Sequence, residues 1–180
     1  MPPKKPISPE GSQSYYQLKV TLLHSAPPIW RRFEVSHDLT LRKLHNILQV
    51  VMGWENDHLY GFYQGRKPLS NSLRLFQAAS RARSKFVYLY DMGDGWEHEI
   101  VVEKVVKDRE GKSHPVCLEG LRACPPEDCG GIYGYDEMLD ALKDPKHPDR
   151  EHWLEWIGDD FDAEAFDLDA VNRRLKRYKL

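Results

Sequence analysis

The sequence predicts an α+β fold, with two β-hairpins and a helix in the first part of the chain and further helices at its end. Two stretches of alternating apolar and polar residues flank Pro27-Pro28, and two more flank the turn at 93–95. This alternation is the period of a half-buried strand, and glycine and proline between the stretches indicate turns. Apolar residues at helical spacing return after Gly134. Strands that come first and helices that come last are typical of the α+β class.

The first hairpin and the helix that follows it are predicted from local patterns. Residues 16–22 and 29–35 form the two strands on either side of the proline break. Apolar residues then recur at helical spacing over 41–52. Thr40 is placed to cap this helix, and Gly53 is placed to end it.

A short strand and a second hairpin come next. Residues 59–63 form the short strand, and 64–66 form a turn. The order of hairpin, helix and short strand is reminiscent of a β-grasp opening, a likeness of shape that carries no function. The second hairpin comprises 86–91 and 96–106, and a polar loop over 107–115 follows it.

Three helices close the chain after a loop-rich stretch between Cys117 and Gly134. Each has apolar residues three or four positions apart and a cap or stop signal. They contain Met138 to Leu142 before Asp144-Pro145, Trp153 to Ile157 before Gly158, and Leu168 to Tyr178 after Asp167.

Composition bounds the class of protein. Residues 1–14 hold four prolines and little apolar surface, so we expect a disordered tail and a single folded domain over 15–180.

The net charge of −2 gives no overall attraction to nucleic acid or to an anionic membrane. The longest mostly apolar stretch, 47–54, is far shorter than the ~20 residues of a membrane span. Three cysteines are unlike a disulfide framework and indicate a cytoplasmic protein with reduced thiols.

The second hairpin carries the best-defined candidate site. If Asp94-Gly95 forms a two-residue turn, Asp91 lies directly opposite His98, with the two Cβ atoms about 5 Å apart. A carboxylate beside an imidazole raises the pKa of the imidazole and fixes its tautomer, which suits a general base or a metal ligand. The alternative is a structural pair that anchors the hairpin. A four-residue loop would make the pair diagonal.

A second candidate site contains His114, Cys117, Cys124 and Cys129. Their spacing, H-x2-C-x6-C-x4-C, supplies four soft ligands suited to a structural zinc ion. The spacing lacks the paired short knuckles of zinc fingers, and the alternative is buried or idle thiols. Glu127 and Asp128 make this loop acidic, which disfavours a catalytic thiol.

A third candidate site begins at His58. Together with Asp91, His98, Glu127 and Asp128, this histidine could complete a divalent-metal site of imidazoles and carboxylates. Only the fold could bring these residues together. The alternative is a hydrogen-bonded histidine at the start of a strand.

The C-terminal segment changes charge along its length. Residues 159–169 hold six acids, and five bases follow: Arg173, Arg174, Lys176, Arg177 and Lys179. Acids at the start and bases at the end of a helix complement its macrodipole. The alternative interpretation is a basic helix that contacts nucleic acid through its phosphates.

Several stretches of the sequence carry a family resemblance. The shorter ones are LKVTL at 18–22, PIWRR at 28–32, LH at 44–45, MGW at 52–54 and HL at 58–59. The strongest are YDMGDGWEH at 90–98 and CPPEDCGG at 124–131, with GY at 134–135. Over 15–178 the chain thus resembles the plasmid pRiA4b ORF-3-like family, which is also found among insertion-sequence passenger proteins. The resemblance implies a link to mobile genetic elements, and it implies no reaction. The family often has a second histidine after His-Leu, where this chain has Tyr60.

The leading functional hypothesis is a non-catalytic binding or interaction module for a protein or small-molecule partner. The sequence has no P-loop, no Rossmann glycine fingerprint, no G-x-S-x-G elbow and no H-E-x-x-H motif. Aromatic-rich loops around Trp54, Trp96 and Tyr133 would supply the contacts. The expected binding residues are His58, Tyr60, Asp91, Asp94, Trp96 and His98.

Two further hypotheses belong to other classes of protein. One is a metal-dependent hydrolytic enzyme, in which a divalent ion such as zinc activates water and a carboxylate acts as base. Its catalytic candidates are Asp91, His98, Glu127 and Asp128. The other is a nucleic-acid accessory protein that uses the basic C-terminal helix.

Overall fold

Seven strands of the described part of the chain form one antiparallel sheet. The computed structural model describes residues 14–107 and 114–177. The strands are β1 (Ser14–Leu22), β2 (Ile29–Ser36), β3 (Tyr60–Gln64), β4 (Lys67–Leu69), β5 (Lys85–Tyr90), β6 (Trp96–Lys107) and β7 (Val116–Leu121). Their order across the sheet is β4-β3-β5-β6-β1-β2-β7, and every pair of neighbours is antiparallel.

In the described ranges, five helices accompany the sheet: α1 (Leu41–Met52), α2 (Leu75–Ala78), α3 (Gly131–Lys143), α4 (Arg150–Ile157) and α5 (Leu168–Arg177). The apolar face of α1 packs with the inward side chains of β1, β2, β5 and β6 in one hydrophobic core. The α+β class predicted from the sequence is therefore confirmed. In the described part of the chain, no helix is both long enough and apolar enough to cross a membrane.

The first hairpin and α1 agree with the sequence patterns. β1 and β2 pair along nearly their whole length, from Tyr15 opposite Ser36 to Leu22 opposite Ile29. The Thr40 hydroxyl accepts a hydrogen bond from the Lys43 N–H at 3.3 Å, as expected of an N-cap. Gly53 ends α1 with a φ of 109°, a left-handed conformation that glycine adopts readily.

Some elements were not predicted, and some predictions fall outside the described residues. The short β4 and α2 have too few residues for a clear period, and the edge strand β7 has no alternating pattern because Glu119 and Gly120 interrupt it. α3 begins at Gly131, three residues before the predicted helical pattern. The hairpin–helix–strand order likened to a β-grasp opening is present, and β3 joins the sheet beside β5. The disordered tail predicted for 1–14 lies outside the described residues apart from Ser14, as do Tyr178 and Lys179.

The register of the second hairpin corrects the predicted pairing of Asp91 with His98. Tyr90 pairs with Trp96 and Tyr88 pairs with His98, so the loop has five residues, 91–95. The loop begins where Asp91 takes a φ of 54°. Its carboxylate accepts from the Gly93 N–H at 2.8 Å, and its carbonyl accepts from the Gly95 N–H at 2.7 Å. These bonds close a five-residue loop, so β5 ends three residues earlier than the predicted two-residue turn at 94–95 requires.

The edge strand β7 is covered by a side chain of α5. The Cys117 N–H donates to Asn172 Oδ1 at 2.9 Å, and Asn172 Nδ2 donates to the Cys117 carbonyl at 2.9 Å. The Asn172 amide thus pairs with this peptide much as a neighbouring strand would.

A buried arginine links β2 to three other parts of the fold. Arg31 is 1% exposed, and its guanidinium donates to the carbonyls of Val51 at 2.9 Å and Leu121 at 2.8 Å. It also donates to the Trp30 carbonyl and lies 4.2 Å from the centre of the Phe166 ring. Val51 is in the last turn of α1, where the free carbonyls and the helix dipole favour a cation. Burial lowers the pKa of Arg31.

We expect Arg31→Met to lower the free energy of unfolding by about 3 kcal/mol, because three carbonyls lose a charged donor. Urea denaturation of the purified variant measures this loss. Arg32→Met is the matched control, since Arg32 lies on the outer face and pairs with Glu103 and Glu119. The free energy of unfolding of Arg32→Met should fall by less than about 1 kcal/mol, as for other partly exposed ion pairs. Equal losses in the two variants would contradict the role of Arg31.

His98 belongs to the core. It is fully buried in β6, its Nδ1 lies 3.3 Å from the Tyr88 carbonyl, and its ring meets the Trp54 ring edge to face at 5.1 Å. Burial lowers the pKa of His98 to about 4 because the charged imidazole is poorly solvated there. The fold therefore holds this histidine in its neutral form at neutral pH.

This neutral histidine should make stability depend on pH. In the unfolded chain, His98 binds a proton below about pH 6.5, but in the folded protein it does so only below about pH 4. The free energy of unfolding therefore decreases as the pH is lowered from about 6.5 to about 4. The contribution of His98 between pH 7.5 and pH 5 is about 2 kcal/mol. We expect His98→Asn to reduce the loss of stability over this interval by that amount in urea denaturation.

The control for this experiment is His24→Asn. His24 is exposed, and asparagine tolerates its φ of 66°. This variant should keep the pH dependence of the wild-type protein. A His98→Asn variant with an unchanged pH dependence would show that the folded protein protonates His98 without penalty.

Candidate functional site

Three loops meet at one end of the sheet. They are 53–59 between α1 and β3, 91–95 between β5 and β6, and 122–130 between β7 and α3. Trp54 Nε1 donates to the Pro125 carbonyl at 3.0 Å, which joins the first loop to the third. The Gly130 N–H donates to Asp94 Oδ2 at 3.2 Å, which joins the third loop to the second.

The contact between 91–95 and α3 is very close. A Cβ atom on Gly131 would lie 2.4 Å from the Asp94 carbonyl oxygen, and Gly131 has a φ of 69°. Any other residue there would separate the two loops. Glycine at 131 is thus what lets Asp94 and the start of α3 approach.

An imidazole and two carboxylates converge where the loops meet. The ligand atoms of His58, Asp91 and Asp128 all lie within 4.8 Å of one another. His58 Nδ1 is 3.7 Å from Asp91 Oδ2, and His58 Nε2 is 3.3 Å from Asp128 Oδ1. Asp91 is buried at 7% exposure, whereas Asp128 is exposed. Each of the three loops contributes one of these residues.

A metal ion would bind only one ring nitrogen of His58. With one ligand atom taken from each residue, the three atoms lie within 4.8 Å of one another, which is close to the spacing of ligands around one divalent ion. Two ligand atoms bound to one divalent ion lie from about 3 to about 4.5 Å apart, depending on the angle between them. His58 Nε2 is shielded from solvent and has no hydrogen-bond partner among the described residues. A buried ring nitrogen without a partner is costly, and a cation would satisfy it. A mixed imidazole and carboxylate set fits Mn²⁺, Fe²⁺ or Zn²⁺.

A third carboxylate, Glu127, is held beside the cluster. Its Oε1 accepts from the Tyr90 hydroxyl at 2.8 Å and from the Glu55 N–H at 3.1 Å. The Tyr90 hydroxyl in turn accepts from the Asp57 N–H at 3.1 Å. Glu127 Oε2 accepts no hydrogen bond from any residue that the structure describes, and it lies 3.8 Å from His58 Nε2. One oxygen of Glu127 is therefore held by two hydrogen bonds, and the other lies near the His58 ring.

Tyr90 is the residue that sequence analysis missed. Burial, followed by the hydrogen bond to Glu127, raises the pKa of Tyr90, so it remains a phenol and a donor. The sequence could have indicated Tyr90, because it ends an apolar strand directly before Asp91. A tyrosine buried at such a position needs a hydrogen-bond partner for its hydroxyl.

Glu127 also lines a groove. We call it the acidic groove, and its volume is about 490 Å³. Its walls come from the loops 53–59 and 122–130 and from the C-terminal end of α4. Among the residues that line it are Trp54, Glu55, Pro125, Glu127, Trp156 and Phe161.

The structure separates the candidate residues into two groups. His58, Asp91, Glu127 and Asp128 come together, and Asp94 joins two of the loops. Trp96 and His98 lie in the core at 1% and 0% exposure, so neither can contact a partner. Tyr60 stacks on the buried His45 ring at 3.4 Å, which makes it a packing residue.

The cysteine set does not assemble. Within 14–107 and 114–177, one group of three or more His, Cys, Asp or Glu side chains lies close enough to share a metal ion, and it consists of His58, Asp91 and Asp128. His114, Cys117, Cys124 and Cys129 therefore do not converge on one position. Cys117 Sγ instead lies 3.5 Å from the Arg32 carbonyl. Burial raises the pKa of Cys117 to about 11 and that of Cys129 to about 12, and it also raises the pKa of Cys124. All three are neutral thiols inside the protein.

Comparison with known proteins identifies the family. Residues 14–170 match the family described as "Plasmid pRiA4b ORF-3-like protein". The uncharacterized protein y4hQ of Sinorhizobium fredii is 39% identical over 177 residues, which cover 90% of this chain and 91% of that protein. The crystal structure of MM3350, a protein of unknown function from Methanosarcina mazei Go1, superposes with a TM-score of 0.80 at 34% identity and covers 89% of this chain and 97% of that one. The chain belongs to the plasmid pRiA4b ORF-3-like family.

Proposed function

We propose that this protein is a divalent-metal-dependent hydrolase whose metal ligands are His58, Asp91 and Asp128. The observation that carries the proposal is their convergence within 4.8 Å from three separate loops, beside an oriented Glu127. The loops are tied together by hydrogen bonds, so the ligands are held in place before a metal arrives.

The residues divide the chemistry between them. A divalent ion bound here would lower the pKa of a coordinated water and polarise the bond to be cleaved. Glu127 Oε2 faces this position, and it would accept the proton of the water as general base. Tyr90 and the Glu55 N–H hold Glu127 Oε1, which directs Oε2 at the cluster. His98, expected as a catalytic candidate, has no part in this arrangement because it is buried in the core.

The other two functions have less support. The binding module relied on exposed aromatic loops, but Trp54 and Trp96 are buried and only Tyr133 of the three is exposed, at 84%. The nucleic-acid function relies on α5, where Arg173, Arg174, Lys176 and Arg177 are exposed. Arg173 lies 3.8 Å from Asp167, which offsets part of this charge. Nucleic-acid binding, the link to mobile elements and cytoplasmic localisation all stay predictions.

The metal site predicts selective loss of metal on substitution. Protein purified without a tag or chelator should contain one divalent ion per chain by elemental analysis, and Asp91→Asn and Asp128→Asn should each lose it. Asparagine at 91 can still accept from the Gly93 N–H, so the loop should keep its shape. In titrations of Mn²⁺ followed by thermal denaturation, both variants should bind on the order of 100-fold more weakly.

Asp136→Asn is the matched control for the metal measurements. Asp136 is an exposed aspartate of α3 outside the cluster, and its substitution should leave metal content and the Mn²⁺ stabilisation unchanged. Wild-type protein that holds no metal and is not stabilised by Mn²⁺, Zn²⁺ or Mg²⁺ would overturn the proposed centre.

Glu127→Gln should separate metal binding from hydrolysis. Glutamine keeps an oxygen that can accept from Tyr90 and from the Glu55 N–H but cannot take a proton from water. We expect metal content close to wild type and a fall in hydrolysis on the order of 100-fold or more. Metal-loaded protein would be assayed with p-nitrophenyl esters, phosphate esters and anilides. Hydrolysis that is undiminished in Glu127→Gln would refute the role of Glu127 as base.

A further inference from the structure

We infer that the acidic groove binds an organic cation, such as an alkylammonium group, and that it presents this part of the substrate to the proposed metal centre. The inference deepens the proposed function, since Glu127 forms part of both the groove and the catalytic cluster. Three observations support it: the charges that line the groove, the aromatic side chains in its wall, and the helix end beside it.

The charge of the groove is negative. The described residues that line it include two glutamates, Glu55 and Glu127, and no lysine, arginine or histidine. A divalent ion at the cluster would be balanced by the two carboxylates of Asp91 and Asp128. The charges of Glu55 and Glu127 then stay uncompensated by the metal, so the groove favours a cation over a neutral or anionic ligand.

Aromatic rings supply the second observation. Trp156 is 44% exposed in the wall of the groove, Phe161 is partly exposed, and Trp54 lies deeper at 3% exposure. The face of an aromatic ring attracts a cation, and tryptophan is the strongest such partner. Exposed tryptophan in a concave, acidic wall is the combination that recognises alkylammonium ligands in aromatic cages.

A helix end gives the third observation. Trp156 and Ile157 are the last residues of α4 and border the groove. The C-terminal end of a helix carries a partial negative charge from its free carbonyls, which favours a nearby cation. α4 has no basic residue in its last turn to neutralise this charge. The volume of about 490 Å³ is within the usual range for small-ligand pockets.

The test compares choline, a quaternary alkylammonium, with dimethylbutanol, its neutral carbon analogue. The two have nearly the same shape and differ in charge, so calorimetric titration of metal-loaded protein isolates the effect of charge. We expect choline to bind about tenfold more tightly than dimethylbutanol. Glu55→Gln and Trp156→Leu should each remove most of this preference, because the first deletes a carboxylate and the second deletes a ring. Glu137→Gln, at an exposed glutamate of α3, should preserve it.

The outcomes distinguish this inference from the metal proposal. Equal affinity for the two compounds, no choline binding, or a preference that survives both substitutions would overturn the cation subsite. His58→Ala should lose the metal and keep the preference for choline. If the protein binds metal but does not prefer choline, the metal centre is supported and the cation subsite is refuted. If it prefers choline but binds no metal, the cation subsite is supported and the metal centre is refuted.

Discussion

The buried guanidinium of Arg31 is the constraint on which the geometry of the site depends. It is held by carbonyls at the end of α1 and at the end of β7, and it forms no ion pair with a carboxylate of the described residues. The loops 53–59 and 122–130 begin only a few residues beyond these two carbonyls. One side chain of β2 thus fixes the starting points of two of the three loops that form the site. The short range of a hydrogen bond makes this placement much tighter than apolar packing alone would.

The loops also share an unusual backbone feature. Asn56, Asp91 and Asp128 have φ values of 69°, 54° and 59°, and each lies in a different loop of the site. Asparagine and aspartate are the residues other than glycine that best tolerate this left-handed region, although it still costs free energy. Such conformations persist where the surrounding structure enforces them, and they concentrate at functional sites. Two of the three are residues of the proposed metal centre.

The sequence predicted the local elements well and the hairpin register badly. The first hairpin, α1 with both caps and the C-terminal helices follow from periodicity and capping, which are local properties. The register of β5 and β6 depends on Asp91, whose hydrogen bonds close a five-residue loop. A shift by an odd number of residues exchanges the two faces of a strand. Tyr88 and Tyr90 consequently face the core, whereas Val87 and Leu89 are only half-buried. The sequence offered His58, Glu127 and Asp128 as members of one candidate site. Whether they meet depends on contacts between loops that are distant in the chain, and local patterns do not determine those contacts.

The pairing of Asn172 with Cys117 bears on how the protein behaves at high concentration. An edge strand with free N–H and C=O groups can add a strand from another molecule and so seed edge-to-edge polymerisation. Here a side-chain amide occupies the groups of one peptide of β7 from within the same chain. A second molecule would have to displace α5 from that edge before it could extend the sheet. α5, the last helix of the described residues, thereby also protects the edge of the sheet from pairing with a second molecule.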